Sequence, residues 1–197
     1  YYLLEKCYRK DDLFLADYFL IPKDGSSIFE FPKKKYAFYC GDGVFGCCDS
    51  LFESVAASET SYYSATGKYL FTADESSSVS EFVNGTALLS VYGSDSEDYI
   101  INKSGKRIKK FEYGVAGIAS TAQGEFVVYG ADGKCGLYRG EKQILPCEYD
   151  GICSDDYGNI FALKNKTFTV FDENKKVKAT FDVSGNISSF MRGVFPL

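Results

Sequence analysis

Self-similarity limits what this chain can fold into more than any other property of it. LIPKDGSSIFEF, YIINKSGKRIKKFEY, GLYRGEKQILPCEY and TVFDENKKVKATF share one plan: an apolar pair, a polar turn with Gly or Asn, a β-branched or apolar residue, then an aromatic one. FGCCDSLFESV and YLFTADESSSVSEF follow it more loosely. The last apolar residue before each turn, Leu20, Cys48, Phe71, Ile101, Tyr138 and Phe171, recurs every 23 to 37 residues, a period of about 30. A hairpin of that length cannot bury its apolar face alone, so neighbouring units must stack.

Strand signals fill the space between turns. Leu13 to Ile21, Tyr36 to Tyr39, Tyr69 to Ala73, Thr86 to Tyr92, Tyr99 to Asn102, Glu125 to Tyr129, Ile160 to Leu163 and Thr167 to Phe171 are rich in Tyr, Phe, Val, Ile or Thr, which suit a pleated, half-buried surface. Lys23-Asp24-Gly25, Gly41-Asp42-Gly43, Val83-Asn84-Gly85, Lys103-Ser104-Gly105, Ala131-Asp132-Gly133 and Ser184-Gly185-Asn186 separate them, with residues that tolerate the positive φ of tight hairpins. No window has a helical period with caps; Leu51 to Ala57 could form at most one or two turns.

Residues 81 to 113, EFVNGTALLSVYGSDSEDYIINKSGKRIKKFEY, carry Phe82, Asn84-Gly85, Ala87, Ile100-Ile101, Lys103, Gly105-Lys106, Ile108 and Tyr113 in an order that resembles the WG (KWG) β-repeat family. A second copy matches through Gly136, Tyr138, Gly140, Ile144, Pro146 and Glu148-Tyr149-Asp150. The family's Trp-Gly pair is replaced by Cys135-Gly136 and Phe45-Gly46, and the chain has no Trp. The resemblance is clearest over residues 81 to 182 and implies an interaction role. The expected fold is all-β: one domain over residues 1–197, of tandem antiparallel hairpin units arranged as a propeller-like ring or an open curved array. A closed ring of about six short, roughly three-stranded blades would hide its edge strands. The chain opens at Tyr1, in the middle of an apparent strand, as a domain cut from a longer protein would. Its first strand would close such a ring near Met191 to Phe195. Gly136 is expected where backbone of a neighbouring unit comes close, and Tyr113 and Tyr149 are expected to pack between units.

Composition removes several function classes. A net charge of −5 with scattered basic residues lacks the dense positive field that nucleic acid requires. The longest apolar runs fall far short of the ~20 residues that span a bilayer. The chain contains no His, and with it go the commonest general base and metal ligand. Seven cysteines, Cys7, Cys40, Cys47, Cys48, Cys135, Cys147 and Cys153, leave at least one thiol without an intramolecular partner, which favours buried thiols in a reducing compartment over an exported disulfide set.

The remaining chemistry-bearing motifs each have a plainer reading. Cys47-Cys48 in a strand would place one thiol inside and one outside. Asp95, Glu97 and Asp98, and Asp155 and Asp156 with Asn159, supply oxygen ligands of the type calcium prefers, but without an EF-hand spacing. Gly41 to Gly46 lacks the helix and lysine of a phosphate loop. No catalytic, cofactor or metal residue is therefore assigned. The expected function is a non-catalytic scaffold binding a protein partner; the alternative is a glycan-binding or glycan-processing β domain, marked by paired carboxylates across a cleft.

Overall fold

The computed structural model describes residues 1–10, 13–33, 35–49, 59–111, 115–120, 124–130, 132–155 and 157–182, and every regular element among them is a β-strand. The chain forms two compact units, Tyr1–Ile108 and Lys109–Leu197. In the first unit, β1 (Tyr2–Lys10), β2 (Leu13–Ile21) and β3 (Phe29–Glu30) make one sheet, and β4 (Tyr36–Tyr39), β5 (Val44–Cys48), β6 (Thr60–Ser64) and β7 (Tyr69–Ala73) a second. The third comprises β8 (Ser77–Val79), β9 (Thr86–Val91), β10 (Glu97–Asn102) and β11 (Arg107–Phe111), and the division between units falls inside β11. The second unit holds β12 (Val115–Ser120), β13 (Glu125–Tyr129), β14 (Cys135–Arg139) and β15 (Lys142–Tyr149), then β16 (Gly151–Ser154), β17 (Ile160–Lys164), β18 (Thr167–Phe171) and β19 (Val177–Asp182). Strands in every sheet run in sequence order, each beside the next.

Sheets pack face to face within each unit, as propeller blades do. Tyr18, Leu20 and Phe31 of the first sheet region meet Ala37, Phe45 and Cys47 of the second. The opposite face of the second sheet sends Val44, Tyr62 and Ala73 against Phe82, Ala87, Leu89, Tyr99 and Ile101. In the other unit Val127, Cys135, Leu137 and Leu145 bury against Ile152, Ile160, Ala162 and Phe171. A sheet covered on both sides has no outside face for its middle strands, so all five residues of β5 are buried.

One five-residue turn recurs through the array. At 64–68, 102–106, 130–134, 155–159 and 172–176, the fourth residue's N–H bonds the first residue's carbonyl, and the first residue's N–H bonds the fifth's carbonyl. The fourth residue has positive φ each time: Gly67, Gly105, Gly133, Gly158 and, in the last copy, Lys175. This is the hydrogen-bond pattern of a short hairpin loop closed by a left-handed residue. In three copies, the side chain of the first residue (Asn102, Asp155, Asp172) accepts the N–H groups two and four positions on, at 2.8–3.1 Å. Ser64 does the same with its hydroxyl. Glycine is also required for packing: a Cβ on Gly105 would lie 2.5 Å from the Phe71 ring of the preceding sheet, and one on Gly67 2.3 Å from Phe29.

The structural unit is longer than the marker spacing predicts. Four-stranded sheets begin at Tyr36, Ser77, Val115 and Gly151, 36 to 41 residues apart, rather than about 30 with three strands. Ile101, Tyr138 and Phe171 all fall on third strands, but Cys48 and Phe71 lie on the second and fourth strands of one sheet, so the six markers cover only five sheets among the described residues and the apparent period shortens. Leu51 to Ala57, Tyr113, Asp156, Ser184-Gly185-Asn186 and the expected pairing at Met191 to Phe195 lie outside the described residues.

Candidate functional site

Most of the motifs singled out by sequence are taken up by the fold itself, while Asp95 is exposed and Asp156 lies outside the described residues. Cys47 and Cys48 are both buried, not one in and one out, because β5 lies between two sheets. Burial pushes the Cys47 thiol up to about 11, Cys40 to about 12 and Cys135 to about 11, which keeps these groups neutral and poorly nucleophilic. Glu97 accepts the Tyr99 hydroxyl and Asp98 accepts that of Ser90. Asp155 is occupied by its own turn, through the N–H of Tyr157 and both nitrogens of Asn159. Among the described residues, no group of three or more metal-ligating side chains comes together. The Gly41 to Gly46 stretch is a turn at 41–43 that runs into β5, and Asp42 in the turn accepts the Gly85 N–H at 2.6 Å. Tyr149 packs on the core between the two sheets of its unit. Close backbone does approach Gly136, but from β15 of its own sheet: a Cβ there would lie 2.8 Å from the Leu145 carbonyl oxygen and 2.9 Å from the Cys147 nitrogen.

Two features hold partly exposed side chains in fixed positions. In the first unit, the ladder of the second sheet sets Tyr39 opposite Phe45, Phe45 opposite Tyr63, and Tyr63 opposite Tyr69. This is an aromatic row across all four strands, with ring centroids 5.3 Å apart for Tyr39 and Phe45 and 5.9 Å for Tyr63 and Tyr69. Its middle is anchored, since Phe45 is buried and Tyr63 packs against Phe29 and Phe31. Its ends protrude, with Tyr39 59% and Tyr69 53% exposed. The end rings are held: the Tyr39 hydroxyl accepts the Gly43 N–H at 3.4 Å, and the Tyr69 hydroxyl bonds Thr72, itself bonded to Ser61.

In the second unit, a carboxylate is buried among cations. Glu125 is fully buried, and its Oε1 accepts from Arg139 Nη2 at 2.6 Å and lies 3.0 Å from Lys175 Nζ. The ladder pairs Glu125 with Arg139 directly, while Lys175 arrives from the β18–β19 turn. Glu125 Oε2 and Arg139 Nε are buried without a hydrogen-bond partner. Beside the cluster opens a cleft of ≈ 420 Å³ lined by Arg139, Lys142, Gln143, Ile144, Glu173, Asn174 and Lys175. None of the three charged partners was singled out by sequence. Two faint signals pointed to them: an acid opening the apolar run EFVVY, and a lysine where sibling turns carry glycine.

Acid should loosen the array. The Lys134 ammonium and the Asn165 N–H hold the Asp150 carboxyl below the usual carboxylate range, Ser76 and Ser77 do so for Asp74, and the Ser26 N–H does so for Asp24. A carboxyl depressed in the folded state stabilises above its unfolded value, near pH 4, and loses that contribution as pH falls through the folded value. The urea midpoint is therefore expected to hold between pH 5 and 7 and to fall below about pH 4; an equal midpoint at pH 3 and pH 6 would contradict this.

No family model matches the chain, and no curated protein matches it. Among solved structures it is similar to a eukaryotic initiation factor, with a TM-score of 0.48 and 12% identity over 85% of this chain and 49% of that one, so it spans about half that structure's length. It is also similar to the WD40 β-propeller domain of Doa1, with a TM-score of 0.34 and 13% identity over 86% of this chain and 62% of that one. A third likeness is to the β-propeller domain of the Trilobed protease from Pyrococcus furiosus, which has an open velcro topology, with a TM-score of 0.36 and 10% identity over 93% of this chain and 81% of that one. The fold class follows from the chain's own strands: all-β, in small antiparallel sheets whose strands run in sequence order. No described helix is long and apolar enough to cross a membrane.

Proposed function

We propose that this chain is a non-catalytic repeat scaffold that binds a protein partner, with Tyr39 and Tyr69 as anchors. The supporting observation is the aromatic row with a packed middle and protruding ends. Tyrosine is enriched among interface hot spots, and a ring already held by a hydrogen bond loses little freedom on binding. Four of the seven thiols (Cys40, Cys47, Cys48 and Cys135) are buried, against the expectation for all of them, since Cys7 is exposed and Cys147 and Cys153 are half-buried. With carboxylates used inside their own turns and the lack of histidine, this favours binding over catalysis. A WG-type repeat is our reading of the array; the turn at Asn102-Lys103-Ser104-Gly105-Lys106 is what gives that motif a structural purpose.

The test is affinity capture from the source lysate with the full chain and its Tyr39→Ser/Tyr69→Ser variant, beside Tyr157→Ser. Tyr157 is 82% exposed but lies outside the row. A protein captured by the native chain and by Tyr157→Ser, and lost from the double variant, is expected. Equal recovery on all three would remove the row from the interface. Glycan-array binding with no protein captured would replace this reading with the glycan one.

A further inference from the structure

The structure points to a second binding site, independent of the aromatic row: the cleft between the β14–β15 hairpin and the β18–β19 turn takes an oxyanion, a carboxylate or phosphate group, on Arg139 and Lys142. Two costly arrangements converge on one wall of this cavity. A fully buried carboxylate is kept where an apolar side chain would pack without desolvation, since buried ion pairs seldom stabilise more than their apolar replacements. Lys175 adopts φ 63° at the turn position that glycine fills in the other four copies. Strain and buried charge retained together mark sites that do more than hold a fold.

Their joint effect is to set Arg139. Glu125 fixes the guanidinium through Nη2, while Lys175, only 10% exposed, neutralises the same carboxylate and donates also to the Glu173 and Gly158 carbonyls. One carboxylate therefore faces two cations, and the Arg139 charge is only partly offset by Glu125. Its side chain stays 39% exposed on the cleft wall, with Lys142, Gln143 and Asn174 around it. Three cations, Arg139, Lys142 and Lys175, stand against two carboxylates, Glu125 and Glu173, which leaves one positive charge in surplus. A planar guanidinium held through one Nη2 N–H keeps further N–H donors, fixed in one plane, for an oxyanion, a geometry lysine cannot provide. The volume of ≈ 420 Å³ fits a small ligand or the acidic end of a larger one.

The test is an NMR titration of the full chain, following the Arg139 Nε–H and neighbouring amides. Sodium phosphate and sodium malonate are added in turn at constant ionic strength, with chloride as reference. Saturable shifts confined to the cleft are expected, weakened about tenfold in Lys142→Gln, the loss of one charge-assisted contact, and abolished in Arg139→Gln. Arg139→Gln also disturbs Glu125, so the exposed Lys142 variant keeps the test decisive if that protein does not fold. Tighter phosphate binding would mark a phosphate ligand, and tighter malonate binding a carboxylate ligand. Shifts that track chloride, or that survive in Lys142→Gln undiminished, would overturn the site.

Discussion

Exchanging Glu125 for leucine is expected to destabilise the protein by about 3 kcal/mol, because it leaves the nearly buried Lys175 ammonium and the Arg139 guanidinium without their carboxylate. The figure sits at the low end of the range for broken buried pairs, since Arg139 is partly exposed and water can rescue it. The triple replacement Glu125→Leu/Arg139→Met/Lys175→Gly should recover most of that loss. It removes all three charges together and returns the turn to the residue its φ prefers. Urea unfolding of the three proteins decides the matter. A loss below about 1 kcal/mol in the single variant would show that the carboxylate is not buried among cations in solution.

Gly136→Val is the second large effect, expected to cost about 3 kcal/mol. The new Cβ would fall 2.8 Å from the Leu145 carbonyl and 2.9 Å from the Cys147 nitrogen, both backbone atoms that cannot turn aside. The register shift between Cys135 and Leu137 is what draws β15 so close. Gly136→Ala should lose nearly as much, since the first carbon already collides. Gly93→Ala provides the control: nothing lies within 4 Å of its Cβ position, so its melting temperature should barely move. Similar melting curves for the Gly136 and Gly93 variants would contradict the close approach.

Local signals were legible where side-chain chemistry and backbone agreed. Leu13–Ile21, Tyr36–Tyr39, Tyr69–Ala73, Glu125–Tyr129 and Thr167–Phe171 are strands with the limits their composition predicts. Asn84-Gly85 forms a two-residue hairpin turn with both residues at positive φ. Strands such as β8, Ser77–Val79, and β11, Arg107–Phe111, hold too few apolar residues to stand out, and they form because a neighbouring strand is already in place. Missing these outer strands made the unit look like three strands when it has four.

The candidate sites were less readable, because each depends on register between distant strands. Tyr39, Phe45, Tyr63 and Tyr69 belong to one row only once four strands are aligned, and a shift of one residue would scatter them over both faces. Arg139 meets Glu125 across a ladder, and Lys175 reaches it from another sheet. The double burial of Cys47 and Cys48 has the same origin: strand alternation predicts which face a side chain takes, but not whether a second sheet covers that face.

The most direct measurement is site-specific photo-crosslinking in the source cells, with a photoreactive residue placed at Tyr69 in one protein and at Tyr157 in another. Tyr157 is the more exposed of the two, so nonspecific encounters favour it. A single protein crosslinked at position 69 and absent at position 157 is the expected result. Equal labelling at both positions, or none at 69, would contradict the proposed role of the aromatic row as a binding surface.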